Sequence, residues 1–150
     1  MIYLGSDHAG FKLKQQIIQY LDKQKLEYKD LGNLKLEKGD DYPIFGYKVA
    51  KAVAKDKKAK GVLICGTSYG MCIIANKVKG ARAVSVKEVK DAVEIRKHND
   101  ANIMCLSGWG TPAKKAEKMI NKFLNTEFEA KARRIRRINK IKKIENREFK

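Results

Sequence analysis

Val62-Leu63-Ile64-Cys65-Gly66-Thr67-Ser68-Tyr69-Gly70 is the stretch from which the rest of the chain can be read. Three apolar, partly β-branched residues lead to a turn flanked by glycines, which is the pattern of a strand buried on both faces of a parallel sheet. Gly66 and Gly70 are expected to allow a tight turn in which successive N–H groups converge on an anion. A helix is expected from near Met71, so that Cys65 would feel its N-terminus, which favours thiolate over thiol.

Outward from this stretch, short β-like runs alternate with helical patterns. Strands are expected near 2–5, 27–31, 61–65, 81–86 and 102–106, and helices near 11–25, 43–57, 70–78, 88–97 and 112–124. Such alternation predicts an α/β domain with a five-stranded parallel sheet covered on both faces. A last helix is expected over about 127–146, where Ile135, Ile138, Ile141 and Ile144 form an apolar stripe at helical spacing. The 150 residues make one domain, without internal repeats or a linker-like segment.

Composition narrows the function. The apolar runs are too short to span a membrane. Met1 to Gly5 reads as a first strand and not as a signal peptide. Three cysteines without CxxC spacing fit a reducing cytoplasm better than a disulfide framework. The net charge of +17 raises the question of a nucleic-acid partner. Most of the excess, however, is lysine spread over helix faces, including Lys12, Lys14 and Lys23, where a solvated surface is the usual explanation. The one dense cluster, Arg133 to Lys143, carries the isoleucine stripe and is expected to be a packed helix with a basic face. No nucleic-acid partner follows from this pattern.

In parallel sheets, ligands gather beyond the carboxyl ends of the strands. Gly5-Ser6-Asp7-His8-Ala9-Gly10 follows the first strand, Gly66 to Gly70 the third, and Ser107-Gly108-Trp109-Gly110 the fifth. The first of these is not a dinucleotide fingerprint, because Asp7 stands where GxGxxG needs glycine, so no nicotinamide or flavin cofactor is expected. Both histidines, His8 and His98, fall in loops next to strands. With Cys65 they lack the short spacing of a zinc site, so no metal is expected either. A thiol beside backbone amides, a hydroxyl and a histidine suits proton removal next to a carbonyl, and equally suits covalent thiol chemistry. Arg133 and Arg137, four apart, share a helix face that could grip a dianion or could simply be solvated. Cys72 and Cys105 read as small buried hydrophobes.

Taken together, Gly-Ser-Asp-His-Ala-Gly at 5–10, Asp-Tyr-Pro at 41–43, Cys-Gly-Thr at 65–67, Ala-Asn-Lys at 75–77, His-Asn-Asp-Ala-Asn at 98–102 and the arginine-bearing terminal helix resemble the type B ribose-5-phosphate isomerases. That family also holds galactose-6-phosphate isomerase subunits. The resemblance runs through nearly the whole chain. It implies a Rossmann-like three-layer fold, a homodimer or dimer of dimers with sites at the subunit interface, and metal-free interconversion of ribose 5-phosphate and ribulose 5-phosphate. By position, Cys65 would be the base moving a proton between C1 and C2. Thr67, with the Gly66, Ser68, Tyr69 and Gly70 loop, would stabilise the enediolate, and His98 would assist ring opening. Asp7 and Asn99 would hold sugar hydroxyls, while His8, Arg133 and Arg137 would bind phosphate.

The chain also departs from the family pattern. Ser68 and Tyr69 replace small and aliphatic residues, and Trp109 stands where many members place an arginine. Lys131-Ala132 replaces a usual Gly-Gly, and Arg134 replaces a common histidine, which leaves Arg134 and Arg136 as alternatives to Arg133 and Arg137. Allose and galactose 6-phosphates remain alternative substrates.

Overall fold

A computed structural model describes residues 1–149. Five parallel strands, β1 (Ile2–Ser6), β2 (Tyr28–Asp30), β3 (Lys60–Cys65), β4 (Ala83–Ser85) and β5 (Ile103–Ser107), form one sheet in the order β2-β1-β3-β5-β4. Six helices accompany them: α1 (Phe11–Lys23), α2 (Tyr42–Lys55), α3 (Tyr69–Ala75), α4 (Val89–Asn99), α5 (Ala113–Asn125) and α6 (Ala132–Glu148). Val62 and Ile64 of β3 face one apolar cluster, with Leu13, Ile17 and Leu21 of α1 and Met119, Ile120 and Phe123 of α5. Leu63 and Cys65 face the other, with Val49 and Val53 of α2 and Met71 of α3. A strand with both faces buried has no room for alternating polar residues, which explains why 62–64 is uniformly apolar.

The order reverses between β1 and β3, because β2 lies outside β1 while β3 starts the opposite half of the sheet. At such a reversal, the loops leaving the two strands diverge and open a crevice. Asp7 and Gly66 begin those two loops, and the Asp7 N–H donates to the Ile64 carbonyl at 3.3 Å.

The structure corrects three expectations. α6 starts at Ala132 and not near 127, because the Glu129 N–H donates to the Lys97 carbonyl and holds 127–131 extended against the end of α4. The isoleucine stripe is also only partly packed. Ile138 is buried, whereas Ile135, Ile141 and Ile144 are 41%, 46% and 53% exposed. The third correction concerns Lys14, which is fully buried. Its ammonium donates to Asp30 at 2.8 and 2.6 Å and to the carbonyls of Gly32 (3.0 Å) and Asn33. Burial lowers its pKa, and Asp30 opposes that shift.

Candidate active site

β3 ends at Cys65, 5% exposed, with its side chain against the α2 and α3 face of the core. The thiol is thus sheltered rather than displayed. The following turn reverses through Ser68, which has φ 78°, a left-handed conformation that costs a non-glycine residue about 1 kcal/mol. The sequence pattern assigns the tight backbone to Gly66 and Gly70, but neither has a positive φ. Gly66 instead makes room for the Trp109 ring, which would have to move aside for a Cβ lying 2.7 Å from it. α3 begins at Tyr69, two residues earlier than expected. Among the described residues, the N–H groups of Thr67 and Ser68 donate to no protein acceptor. Thr67, Ser68, Tyr69, Lys87, Ser107 and Trp109 line a cavity of about 400 Å³ beside this turn. Ser107 stiffens its floor by donating to the Gly66 carbonyl at 2.6 Å and accepting from the Gly110 N–H at 2.9 Å.

The loop after β1 is held just as firmly. Asp7, 6% exposed, accepts from the Gly10 N–H at 3.0 Å. Desolvation raises its pKa, against the lowering effect of that hydrogen bond. The backbone N–H of His8 donates to Asp40 Oδ1 at 2.8 Å, and the His8 ring Nδ1 lies 2.8 Å from the same oxygen. The bond to Asp40 raises the His8 pKa, with Asp7 adding to the effect. Asp40 is fixed in turn by Asn33, whose Nδ2 donates to Oδ2 at 2.6 Å, and Asn33 Oδ1 accepts from Ser6 Oγ at 3.0 Å. A histidine whose protonated form Asp40 favours, together with backbone amides left without protein acceptors among the described residues, suits an anionic group, while the Asp7 carboxylate suits hydroxyl donors.

The family model for ribose/galactose isomerases matches residues 2–141. The chain belongs to this family. It is 40% identical over 140 residues to a probable ribose-5-phosphate isomerase B of Mycoplasma pneumoniae, spanning 93% of this chain and 91% of the relative. It is 36% identical over 146 residues to the ribose-5-phosphate isomerase B of Escherichia coli K12, spanning 97% of both. The crystal structure of ribose-5-phosphate isomerase B from Mycoplasma genitalium with bound ribulose 5-phosphate superposes with a TM-score of 0.92 at 40% identity, covering 97% of this chain and 95% of that one. The Clostridium thermocellum ribose-5-phosphate isomerase B gives 0.91 at 39% identity, with 97% coverage of each.

Within one isomerase chain, the residues singled out from sequence fall into two groups. Asp7, His8, Cys65, Gly66, Thr67, Ser68, Tyr69 and Gly70 meet at the carboxyl ends of β1 and β3. His98 and Asn99 do not join them. They end α4, which runs back to the start of β5, and β5 begins beside Gly61 whereas Cys65 pairs with Ser107. The two ends of β3 are about 15 Å apart at the usual rise per residue. Arg133 and Arg137 belong with the second group, because Glu129, just before α6, is bonded to Lys97. Both arginines are exposed. Arg134 is instead buried and paired with Glu129, whose carboxyl is held at about 2 by Arg134 and Lys131. It is therefore occupied structurally, while Arg136 is exposed on α6.

Sequence reasoning missed Lys14, Asn33 and Asp40 as parts of the site. Lys14 carried a signal: it is three residues before Ile17 and seven before Leu21, on the apolar face of α1. Asn33 and Asp40 lie in a long polar loop with no periodicity to mark them. Of the other cysteines, Cys105 is fully buried, as expected, and burial pushes its thiol up. Cys72 is only half-buried. The neighbouring Cys105 thiol lowers the pKa of Cys72.

Proposed function

We propose that the protein interconverts D-ribose 5-phosphate and D-ribulose 5-phosphate through an enediolate. The observation that carries this reading is the Cys65 thiol at the base of a turn whose Thr67 and Ser68 amides lack acceptors among the described residues, in a chain that matches the isomerase family over 2–141. Cys65 takes the proton from C2 of the open-chain aldose and returns it to C1, while the hydroxyl proton of C2 leaves and O1 is protonated. Charge developing on oxygen is held by the amides and the Thr67 hydroxyl of the loop, whose residues line the cavity. Asp7 orients sugar hydroxyls, and His8, whose protonated form Asp40 favours, binds phosphate.

His98, which assists furanose opening, Asn99, which holds a sugar hydroxyl, and the phosphate-binding Arg133 and Arg137 reach this crevice from a second copy of the chain. Their separation from Cys65 within one protomer supports a homodimer. So do the exposed apolar side chains Ile44, Ile73, Ile141 and Ile144, which are 46–62% accessible in the single chain. Three free cysteines and the absence of any helix long and apolar enough to cross a membrane, among the described residues, support a place in the cytoplasm.

The deciding experiment compares kcat/KM for ribose 5-phosphate, allose 6-phosphate and galactose 6-phosphate with wild type and Cys65→Ala. A clear preference for the pentose is expected, with kcat lowered about 10³-fold by the substitution. An enzyme that prefers a hexose phosphate would reject the substrate assignment, and an active Cys65→Ala enzyme would reject the mechanism.

A further inference from the structure

Ser68 stands at the position before α3 where a serine normally turns its hydroxyl onto the first free amides of the helix. Here it makes no such bond. Its backbone is left-handed at φ 78°, the side chain is 2% exposed, and Oγ lies 2.5 Å from Oγ of Ser85, the last residue of β4. We propose that Ser85 is a positioning residue for the reaction: its hydroxyl holds Ser68 in the left-handed turn and keeps the Ser68 hydroxyl away from the loop amides. The inference rests on the proposed role of that loop in binding the enediolate.

Glycine adopts a left-handed turn freely, whereas serine needs a compensating interaction to keep one. A Ser68 hydroxyl released from Ser85 is free to accept from the Gly70 or Met71 N–H, since the first N–H groups of a helix have no intrahelical partner. Capping Gly70, part of the loop proposed to bind the enediolate, would take a donor from the reacting oxygen. The Ser85 bond answers both needs at once, and it does so from β4, a strand that contributes no residue to the proposed chemistry.

The test is a cycle of Ser85→Ala in two backgrounds, reading kcat, KM and Tm. In the native background, Ser85→Ala should lower kcat about five- to tenfold with KM little changed, because the loop acts on charge formed in the transition state. Ser85→Thr, which keeps a hydroxyl, should recover most of that loss. In the Ser68→Gly background, whatever its own activity, adding Ser85→Ala should change kcat by less than twofold, because glycine needs no latch and has no hydroxyl to hold. An equal loss in both backgrounds, or a fall in Tm with kcat unaltered, would overturn the inference. Failure of the underlying reading is distinguishable: Cys65→Ala would then remain active, whatever Ser85→Ala does.

Discussion

The two ends of the sheet differ in how their side chains are held. At the carboxyl end, Asp7, His8, Ser68 and Ser107 each have a hydrogen-bond partner fixed by the fold, through Gly10, Asp40, Ser85 and Gly66. At the opposite end, His98, Asn99, Arg133 and Arg137 are exposed, and among the described residues their side chains have no partner. Asp100, beside them, anchors the corner through Arg82 at 2.9 Å and Arg96 at 2.8 Å, so the backbone is secured while the functional groups stay free. If His98, Asn99, Arg133 and Arg137 act as proposed, each chain holds two half-sites, a pre-organised crevice and a set of free polar groups, that complete each other only across a pair of copies.

The largest effect expected from this comparison comes from mixing two inactive enzymes. Cys65→Ala and His98→Asn homodimers, each nearly inactive, should regain roughly a quarter of wild-type activity when unfolded together and reassembled, because half the dimers are mixed and each mixed dimer has one intact site. Activity no greater than that of the separate mutants would place both residues in one protomer's site and break the comparison.

His98→Asn alone sharpens it. The ribose phosphate closes into a furanose and the ribulose phosphate cannot, so kcat/KM for ribose 5-phosphate should fall about 10²-fold while solvent deuterium still enters ribulose 5-phosphate, as proton NMR would show. Loss of both would give His98 a part in the proton transfer itself.

Stability tests the carboxyl end separately. Lys14→Met leaves Asp30 and two backbone carbonyls without their cation and should cost about 3 kcal/mol, read as a lower urea midpoint. The same measurement on Arg137→Met should show almost no change, since that arginine is exposed and unpaired among the described residues.

The smallest effect is in pH. The His8 pKa is raised by Asp40, so its cation persists above the ordinary imidazole value of about 6.5 and is lost as pH rises through the raised value. KM should therefore climb with pH. In Asp40→Asn the climb should begin at lower pH, with KM at neutral pH up a few-fold. An unshifted KM profile would remove His8 from phosphate binding.

The sequence made the layers of the fold legible, because a parallel sheet demands uniformly apolar strands and β3 and β5 supply them. It also marked the loop from Cys65 to Gly70, whose composition has no other easy explanation. Positions set by tertiary bonds escaped. Residues 127–131 have good helix formers, yet the Lys97 carbonyl holds them extended. Ser68 took the left-handed turn that the pattern gave to a glycine, because Ser85, distant in sequence, supports it. His98, expected in a loop next to a strand, instead lies in the last turn of α4, ahead of β5 and so at the opposite end of the sheet from residues that follow a parallel strand.

The distance between Cys65 and His98 along β3 and α4 also governs behaviour on dilution. No rearrangement of a single folded chain spans about 15 Å of sheet without breaking the strands. If the half-sites meet only between copies, a dilute solution contains folded protein that turns over nothing, and the initial rate grows with the square of protein concentration until pairing saturates. Assembly, rather than folding, then sets the threshold at which the enzyme switches on.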